Sequence, residues 1–233
     1  MPQWIPPPGK RWGAALRAEP IFSAFPASID GSDESVGWPT PFRARERYVP
    51  AARPVRPPDW APLDAEPLVY ITFGTFACSS ERAKATYRAA LEAVAGLPVR
   101  ALLTTGPVLN REELGAIPAN VLVETFVPQN DVFTYASTVV CHGGSGTLLG
   151  AFAAGLPVVV APIFADQPRN ARTVAAASLG AVVFDRHPPA LRAAMKSFLA
   201  DDFVRAKVRR LAMPTMEDGA DAVAALAPRH VWR

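Results

Sequence analysis

The stretch VVCHGGSGTLLGAF, Val139 to Phe152, joins a β-branched run to a glycine-rich turn and then to an apolar segment. The β-branched residues favour a buried strand, and the leucines and alanine after the turn favour a helix. Glycines this dense between a strand and a helix let a ligand approach the backbone. The stretch therefore predicts one strand–helix unit of a layered α/β domain, with a binding loop at its turn.

The sequence on either side of this unit repeats the alternation of strand and helix from Leu68 onward. Strands are predicted at residues 68–73, 99–104, 120–126, 138–142, 157–162 and 181–184. Helices are predicted at about residues 80–96, 131–136, 145–154, 167–177, 189–200, 203–211 and 218–227. Strands that alternate with helices form right-handed βαβ units. The expected fold class is therefore α/β, a Rossmann-like parallel sheet with helices on both faces.

Residues 1–67 differ from the rest of the chain in composition. They hold fourteen of the 25 prolines, with eight basic and eight acidic side chains, and they show neither a sustained helical period nor alternation of apolar residues. Such a sequence is typical of extended, loop-like chain. We expect two parts, a proline-rich linker or remnant of a preceding domain over residues 1–67 and a ligand-binding domain over residues 68–233.

The overall composition excludes several classes of protein. A net charge of +3 with 19% charged residues is too weak to indicate nucleic-acid binding. Cys78 and Cys141 form no metal-binding pattern, and free thiols in a reducing compartment are expected, with a disulfide as the alternative. The apolar run Leu148–Ala165 is split by Gly155 and Pro157 into a helix-like and a strand-like half, so no transmembrane segment is predicted. A cytoplasmic location is the expectation.

In a parallel sheet, ligands bind beyond the carboxyl ends of the strands. The loops after Phe73, Phe126, Cys141 and Pro162 should converge there.

The loop HGGSGT, residues 142–147, has the chemistry of an anion site. The first turn of the helix after it presents unpaired N–H groups and a partial positive charge, and glycines let a phosphate reach them. Ser145 and Thr147 add hydroxyl donors, and His142 can place an imidazole beside the same anion. The loop predicts a phosphate or diphosphate site, and the alternative is a tight turn whose glycines serve packing alone.

Two other phosphate motifs were compared with this loop. A nucleotide triphosphate loop is absent, because no lysine follows the glycines. A dinucleotide fingerprint stays open as an alternative, since Gly144, Gly146 and Gly150 give a loose variant and Asp166 follows at the spacing of a ribose-binding acid. Against it, the fingerprint normally occupies the first strand–helix turn of its domain.

The segment PIFADQPRNARTV, Pro162 to Val174, places an Asp-Gln pair, Asp166 and Gln167, after a predicted strand. A carboxylate accepts hydrogen bonds and an amide both donates and accepts, so the pair can hold several sugar hydroxyls at once. The alternative is that Asp166 only caps the helix that follows.

Four motifs, in this order and spacing, resemble the donor-binding half of nucleotide-sugar glycosyltransferases of the GT-B fold. They are FGT after the first strand, FVPQNDVF, HGGSGT and AGLPVVVAPIFADQPRNA. The resemblance covers Leu68 to about Leu226 and is to the UDP/dTDP-glycosyltransferases, in particular the bacterial branch that modifies macrolides and other natural products. It implies that residues 68–233 are the C-terminal domain of such an enzyme, which binds the nucleotide-sugar donor.

The resemblance also assigns roles to the predicted site residues. It implies that Phe126 stacks on the nucleobase, that Val127 and Gln129 line the base and ribose, and that Asp166 and Gln167 bind sugar hydroxyls. The residues that it places at the diphosphate are His142, Gly143, Gly144, Ser145, Gly146, Thr147 and Thr75.

One position departs from the family pattern. Many relatives carry a glutamate eight residues after the histidine, where it bonds the ribose hydroxyls, and this chain has Gly150. The missing acceptor favours a deoxyribose donor such as a dTDP-sugar over a UDP-sugar.

The mechanism that the resemblance implies is inverting transfer without a metal or other cofactor. A base deprotonates the acceptor hydroxyl, and the sugar passes through an oxocarbenium-like state while the diphosphate leaves.

The catalytic base is the group that this sequence does not supply. In the family it is a histidine near the start of the acceptor-binding domain. The three histidines of this chain are His142, assigned to the diphosphate, and His187 and His230, which we interpret as surface residues. No catalytic residue and no metal ligand is therefore assigned.

Three alternatives follow from the missing base. The chain is a subunit that works with a separate acceptor-binding chain, a fragment of a single-chain enzyme, or a non-catalytic nucleotide-sugar-binding module. The proline-rich opening favours the fragment. All three predict nucleotide binding, and we expect no sugar transfer by the chain alone.

Overall fold

The structure is a computed structural model, and it describes residues 22–23, 42–43, 58–61, 66–75, 80–200 and 202–212. The chain divides into two compact units, one formed by residues 1–47 with 215–233 and the other by residues 48–214. In the first unit, two short strands, β1 (Phe22–Ser23) and β2 (Phe42–Arg43), pair in parallel. The predicted division between residues 67 and 68 stays a prediction.

The second unit is built on a six-stranded sheet in which every neighbouring pair of strands is parallel. Its strands are β3 (Leu68–Thr72), β4 (Arg100–Thr104), β5 (Val121–Glu124), β6 (Ala136–Cys141), β7 (Val158–Val160) and β8 (Gly180–Val182). The strand order is β5-β4-β3-β6-β7-β8, so the direction of winding reverses between β3 and β6. This is the doubly wound order of a Rossmann-like sheet.

Helices connect these strands. They are α1 (Glu81–Val94), a 3₁₀ helix (Arg111–Leu114), α2 (Gln129–Phe133), α3 (Ser145–Ala153), α4 (Gln167–Ala176), α5 (Pro188–Ala200) and α6 (Asp202–Ala212). The α/β fold class predicted from the sequence is confirmed. Most predicted elements differ from the observed ones by one or two residues at their ends, and the helix predicted at residues 218–227 lies outside the described residues.

Both faces of the sheet are covered, as alternate residues of β3 show. The Phe73 ring, just after the strand, meets the edge of Tyr87 on α1 at 4.8 Å between centroids. On the opposite face the Tyr70 ring packs edge-on against Phe133 of α2 at 6.1 Å. Because both faces are apolar, the strands are continuous hydrophobic runs, as in a buried parallel sheet.

A buried hydroxyl joins the carboxyl ends of β3 and β4. Tyr87 Oη donates to the Thr104 carbonyl at 3.0 Å and accepts from the Phe73 amide at 3.3 Å. Helix α1 is itself fixed at its start, where Ser80 Oγ accepts from the Ala83 amide at 3.2 Å as the sequence predicts. Satisfied buried hydrogen bonds of this kind hold the edge that carries the loops in one arrangement.

Part of the segment predicted to be linker packs on the sheet domain. Trp60 is buried, and its ring meets Tyr135 edge-on at 5.5 Å between centroids. The carbonyl of Asp59 accepts from Arg100 Nη2 at 2.7 Å. Residues 58–61 are therefore part of the second unit.

Two further expectations concern the thiols and the membrane. Cys141 is a free, buried thiol, and burial raises its pKa to about 12, whereas Cys78 lies outside the described residues. Within the part of the chain that the structure describes, no helix is both long and apolar enough to cross a bilayer.

Candidate functional site

A cavity of about 510 Å³ opens where the winding of the sheet reverses, beyond the carboxyl ends of β3 and β6. Four segments line it: the loop after β3, the start of α2, the glycine loop (residues 142–147) with the start of α3, and the loop after β7. The lining residues are Phe73, Gly74, Thr75, Gln129, His142, Gly144, Ser145, Gly146, Thr147, Phe164, Ala165, Asp166 and Gln167. All but three of the predicted site residues thus share one cavity, the exceptions being Phe126, Val127 and Gly143.

The glycine loop delivers free amides to this cavity. The Leu148 amide donates to the Gly144 carbonyl at 3.0 Å as the first bond of α3. The amides of the residues between them, 145–147, therefore have no acceptor within the helix. Gly144 is the N-cap and offers no side chain to satisfy them. This geometry is compatible with the anion site that the sequence predicts, and the site itself stays a prediction.

Gly143 supports the loop from beneath. Its φ is 87°, in the left-handed region, and a Cβ atom there would lie 2.8 Å from Val160 Cγ1. Both observations require glycine, so this residue shapes the loop without lining the cavity.

The imidazole of His142 packs between two glycines. A Cβ atom at Gly74 would lie 2.9 Å from Nε2, and one at Gly144 would lie 2.5 Å from the same atom. Nδ1 is buried without a hydrogen bond to any described residue. Burial lowers the pKa of His142 and outweighs the Asp166 carboxylate and the Thr72 backbone, which act in the opposite direction. The ring of the free protein is therefore neutral near pH 7.

Gln129 and Thr147 connect α2 to α3. Gln129 Nε2 donates to Thr147 Oγ1 at 3.2 Å, and Thr147 itself is buried. Thr147 Oγ1 thus accepts a hydrogen bond from Gln129, and its backbone amide lies among those at the start of α3 that have no acceptor within the helix.

Asp166 lies at the cavity rim, after a turn of unusual backbone conformation. Ala165 has a φ of 55°, in a region that residues with a Cβ rarely adopt. Asp166 is the N-cap of α4, but its side chain makes no capping hydrogen bond. Its Oδ2 instead accepts from Asn170 Nδ2 at 2.9 Å and lies 3.5 Å from Ser145 Oγ. Asp166 therefore occupies the N-cap position without capping the helix through its side chain, and its role at a sugar stays a prediction.

Gln167 is buried and holds the loop after β7. Its Oε1 accepts from the amides of Ile163 and Phe164 at 2.9 and 3.0 Å. From the other side, Arg82 Nη1 donates to the Ile163 carbonyl at 3.1 Å, and Arg186 Nη1 to the preceding carbonyl at 3.0 Å. Because Oε1 is occupied by two backbone donors, Nε2 is the atom of Gln167 that remains for a ligand.

Of the three residues predicted at the nucleobase and ribose, Gln129 lines the cavity, whereas Phe126 and Val127 do not. The Phe126 ring is 70% exposed, whereas Val127 is buried. Their roles stay predictions. Among the remaining histidines, His187 is exposed and His230 lies outside the described residues. Within the described residues, no three His, Cys, Asp or Glu side chains lie close enough together to hold a metal ion.

Sequence reasoning missed Asn170 as a site residue. Its amide joins the glycine loop to Asp166, since Nδ2 also donates to the Gly143 carbonyl at 2.9 Å. The available signal was its position four residues after Asp166, which places both side chains on one helix face. Phe73, Gly74, Phe164 and Ala165 also line the cavity without having been assigned.

Residues 89–225 match the family model described as erythromycin biosynthesis protein CIII-like, C-terminal domain. The chain belongs to this family. A curated relative, a demethyllactenocin mycarosyltransferase of Streptomyces fradiae, is 35% identical over 166 residues, which are 70% of this chain and 35% of the relative. A PGL/p-HBAD biosynthesis glycosyltransferase of Mycobacterium tuberculosis is 32% identical over 163 residues, which are 68% and 36% of the two chains. The predicted resemblance to glycosyltransferases of bacterial natural-product synthesis is confirmed.

Solved structures of the family share the fold. Spinosyn rhamnosyltransferase SpnG aligns with a TM-score of 0.76 at 26% identity, over 90% of this chain and 56% of that one. The same rhamnosyltransferase has been solved with thymidine diphosphate and with spinosyn aglycone. The chain thus spans about a third of its curated relatives and about half of this solved neighbour.

Proposed function

We propose that this chain is the donor-binding half of an inverting glycosyltransferase. It binds a UDP- or dTDP-sugar whose sugar is transferred, without a metal or other cofactor, to the hydroxyl of a small-molecule acceptor. The observation that carries the proposal is that the free amides of the glycine loop, the His142 imidazole and the Asp166 carboxylate line one cavity. Family membership and the thymidine diphosphate bound by SpnG support it.

The glycine loop suits the diphosphate of such a donor. An anion at the start of α3 meets the unpaired amides of residues 145–147 and the positive end of the helix dipole. The Ser145 hydroxyl at the same rim can add a hydrogen bond.

His142 suits the charge that develops on the leaving diphosphate. In the free protein its imidazole is neutral because it is buried. An adjacent diphosphate favours the charged form of the ring. Donors preorganised at a developing charge contribute about 3–4 kcal/mol each to transition-state stabilisation.

The loop after β7 suits the sugar. The Asp166 carboxylate is exposed at the rim, and among the described residues its hydrogen bonds go to Oδ2, so Oδ1 can accept from a hydroxyl. Gln167 Nε2 can donate to a neighbouring hydroxyl, because the amide oxygen already bonds the backbone. The base that deprotonates the acceptor belongs to an acceptor-binding domain, on a longer form of this chain or on a separate one.

The dinucleotide alternative is disfavoured by the topology. In that class of protein the glycine-rich turn follows the first strand of the sheet. Here the first strand of the sheet is β3, and the segment after it, Gly74 to Ser80, has a single glycine. The glycine loop follows the fourth strand, β6. A non-catalytic nucleotide-sugar-binding module would use the same cavity, and transfer activity separates the two.

Calorimetric titration of the full chain with UDP, dTDP and NAD tests the proposal. We expect measurable binding of UDP or dTDP and none of NAD. Ser145→Asp is the informative variant, because an acidic side chain in the first turn favours the helix but repels a bound diphosphate. Two like charges about 4 Å apart near a protein surface interact with about 4 kcal/mol, so nucleotide affinity should fall at least about a hundredfold.

Ala206→Asp makes the same change of charge at an exposed position of α6 and should leave binding unchanged. Binding of NAD in place of both diphosphates would establish the dinucleotide alternative. A chain that binds none of the three ligands, or a Ser145→Asp variant that binds as the wild type does, contradicts the proposed diphosphate site.

A further inference from the structure

A single amide links the two loops that face each other across the cavity rim. Asn170, on α4, donates from Nδ2 to the Gly143 carbonyl of the glycine loop and to Asp166 Oδ2, both at 2.9 Å. The two loops follow different strands, β6 and β7, and are joined by few other side-chain contacts among the described residues, of which Ser145 to Asp166 at 3.5 Å is at the limit of a hydrogen bond.

The chemistry of the neighbours fixes the orientation of this amide. A backbone carbonyl and a carboxylate are both acceptors, so the NH₂ group of Asn170 must face them and its oxygen must point away. Both hydrogens of Nδ2 are thereby used. An aspartate in its place has the same shape but no hydrogen to donate, unless it is protonated.

The consequence for Asp166 is a fixed carboxylate. Its side chain is exposed and makes no capping bond, so without a partner it would sample several rotamers. The bond from Asn170 restrains the side chain through Oδ2 and leaves Oδ1 able to accept from a ligand. The same amide also donates to the Gly143 carbonyl, so it relates the position of the Asp166 carboxylate to that of the glycine loop.

We infer that Asn170 is a positioning residue that sets the distance between the sugar-binding carboxylate of Asp166 and the diphosphate loop. This inference rests on the proposed function, since it assigns Asp166 to the sugar. Asn170 acts through Asp166 and touches no donor atom itself. Its contribution should therefore appear for a nucleotide-sugar and disappear when Asp166 is removed.

A double-mutant cycle tests this dependence with the full chain. The affinities of wild type, Asn170→Ala, Asp166→Ala and the double variant are measured for UDP-glucose and dTDP-glucose, and again for UDP and dTDP. Hydrogen bonds to charged groups typically change affinity roughly tenfold to a hundredfold, so Asn170→Ala should weaken nucleotide-sugar binding by that factor in the wild-type background. In the Asp166→Ala background it should have little effect, since coupling is expected only between groups in contact.

A second variant distinguishes a loss of positioning from a loss of folding. Asn170→Asp keeps the side-chain volume and suits the N-terminal turn of α4 electrostatically, so it should fold. It should nevertheless lose nucleotide-sugar affinity as Asn170→Ala does, because it brings two carboxylates together. Arg169→Ala, at an exposed neighbouring position, is the control for folding and affinity.

The possible outcomes separate this inference from the proposed function. A wild-type chain that binds neither nucleotide nor nucleotide-sugar contradicts the proposed function itself. If the wild type binds the nucleotide-sugar and both Asn170→Ala and Asn170→Asp bind it with the wild-type affinity, Asn170 does not position the site. Equal losses in the presence and absence of the Asp166 carboxylate would show a general structural role and overturn the inference.

Discussion

His142 illustrates how a polar residue is prepared for a ligand before the ligand arrives. Its ring fits between Gly74 and Gly144, where a methyl group on either residue would collide with it, and Nδ1 lacks a hydrogen bond among the described residues. A buried polar atom without a partner costs free energy, which a protein tolerates mainly where function uses it. The unpaired Nδ1 therefore costs folding free energy, separately from any effect of protonation.

The lowered pKa of His142 predicts how stability depends on pH. The folded protein resists protonation of this buried ring, whereas the unfolded chain takes up the proton near the ordinary value of about 6.5. The unfolded state thus binds more protons below that pH, so the contribution of His142 to stability is full above it and is lost as the pH falls. Urea unfolding at about pH 8 and about pH 5.5 should show a smaller loss of stability in His142→Asn than in the wild type.

His187→Asn is the matched control, because it removes an exposed histidine and should leave the loss as large as in the wild type. The prediction is wrong if His142→Asn and the wild type lose the same free energy of unfolding between the two pH values.

At the scale of elements, the contact between α2 and α3 accounts for the departure at Gly150. A Cβ atom there would lie 2.7 Å from Phe133 Cε2, and the Phe133 ring is buried and packs edge-on against Tyr70. The space that the family pattern gives to a glutamate side chain is therefore occupied by an aromatic ring. The sequence reveals the missing carboxylate, and the structure identifies the residue that excludes it.

This packing predicts an unusual response to alanine. Replacing glycine by alanine within a helix ordinarily stabilises by up to about 1 kcal/mol. Gly150→Ala should instead destabilise by about 1–3 kcal/mol, because overpacking forces a buried ring to move. Gly146→Ala, on the same helix and with no atom within 4 Å of the added Cβ, should be neutral or stabilising.

Denaturant unfolding of both variants measures the difference. Adding Phe133→Leu should relieve the clash and recover part of the loss in Gly150→Ala. Two glycine variants of equal stability would show that Phe133 moves aside at no cost.

The elements themselves were predictable where local chemistry decides them. Ser80 begins α1 as expected, and the glycine loop gives way to α3 at Ser145. Helix α2 begins two residues earlier than predicted, because Pro128 serves as its N-cap. It also ends earlier than predicted, because Ala136 pairs with Leu68 and belongs to β6. The sequence analysis did not predict the 3₁₀ helix, although the residues of its capping box, Asn110 and Glu113, can be recognised in the sequence.

The candidate site was predictable in residue type and less so in contacts. Parallel strands bring their carboxyl ends together, so the sequence could place His142 and Asp166 in one cavity. It could not show that Gln167 Oε1 accepts hydrogen bonds from two backbone amides, or that Asn170 joins the two loops. Those contacts depend on how β6 and β7 pair and on the turn at Ala165, which no local pattern specifies.

At the scale of the whole molecule, the proposed function gives this chain the groups for one of the two substrates of a transfer reaction. The cavity offers the amides at the start of α3, a histidine and the Asp166 carboxylate, but the described residues place no second histidine beside it. Since an exposed hydroxyl needs a base to become a nucleophile at neutral pH, donor binding and catalysis should be separable here.

Transfer assays can test this separation. With UDP-glucose or dTDP-glucose and a panel of small aromatic and macrolide alcohols, the isolated chain should form no glycoside and release no nucleoside diphosphate beyond the uncatalysed rate. A chimaera that joins the acceptor-binding half of SpnG to this chain ahead of residues 58–61, which pack on the sheet domain, should glycosylate the spinosyn aglycone if supplied with an accepted donor, because the base and the donor site then share one molecule. His142→Ala in the chimaera should lower the rate about 10²- to 10³-fold, the typical effect of removing one donor at a developing negative charge.

Glycoside formed by the isolated chain would mean that the base lies within these 233 residues, and the acceptor-binding domain would then be unnecessary for catalysis.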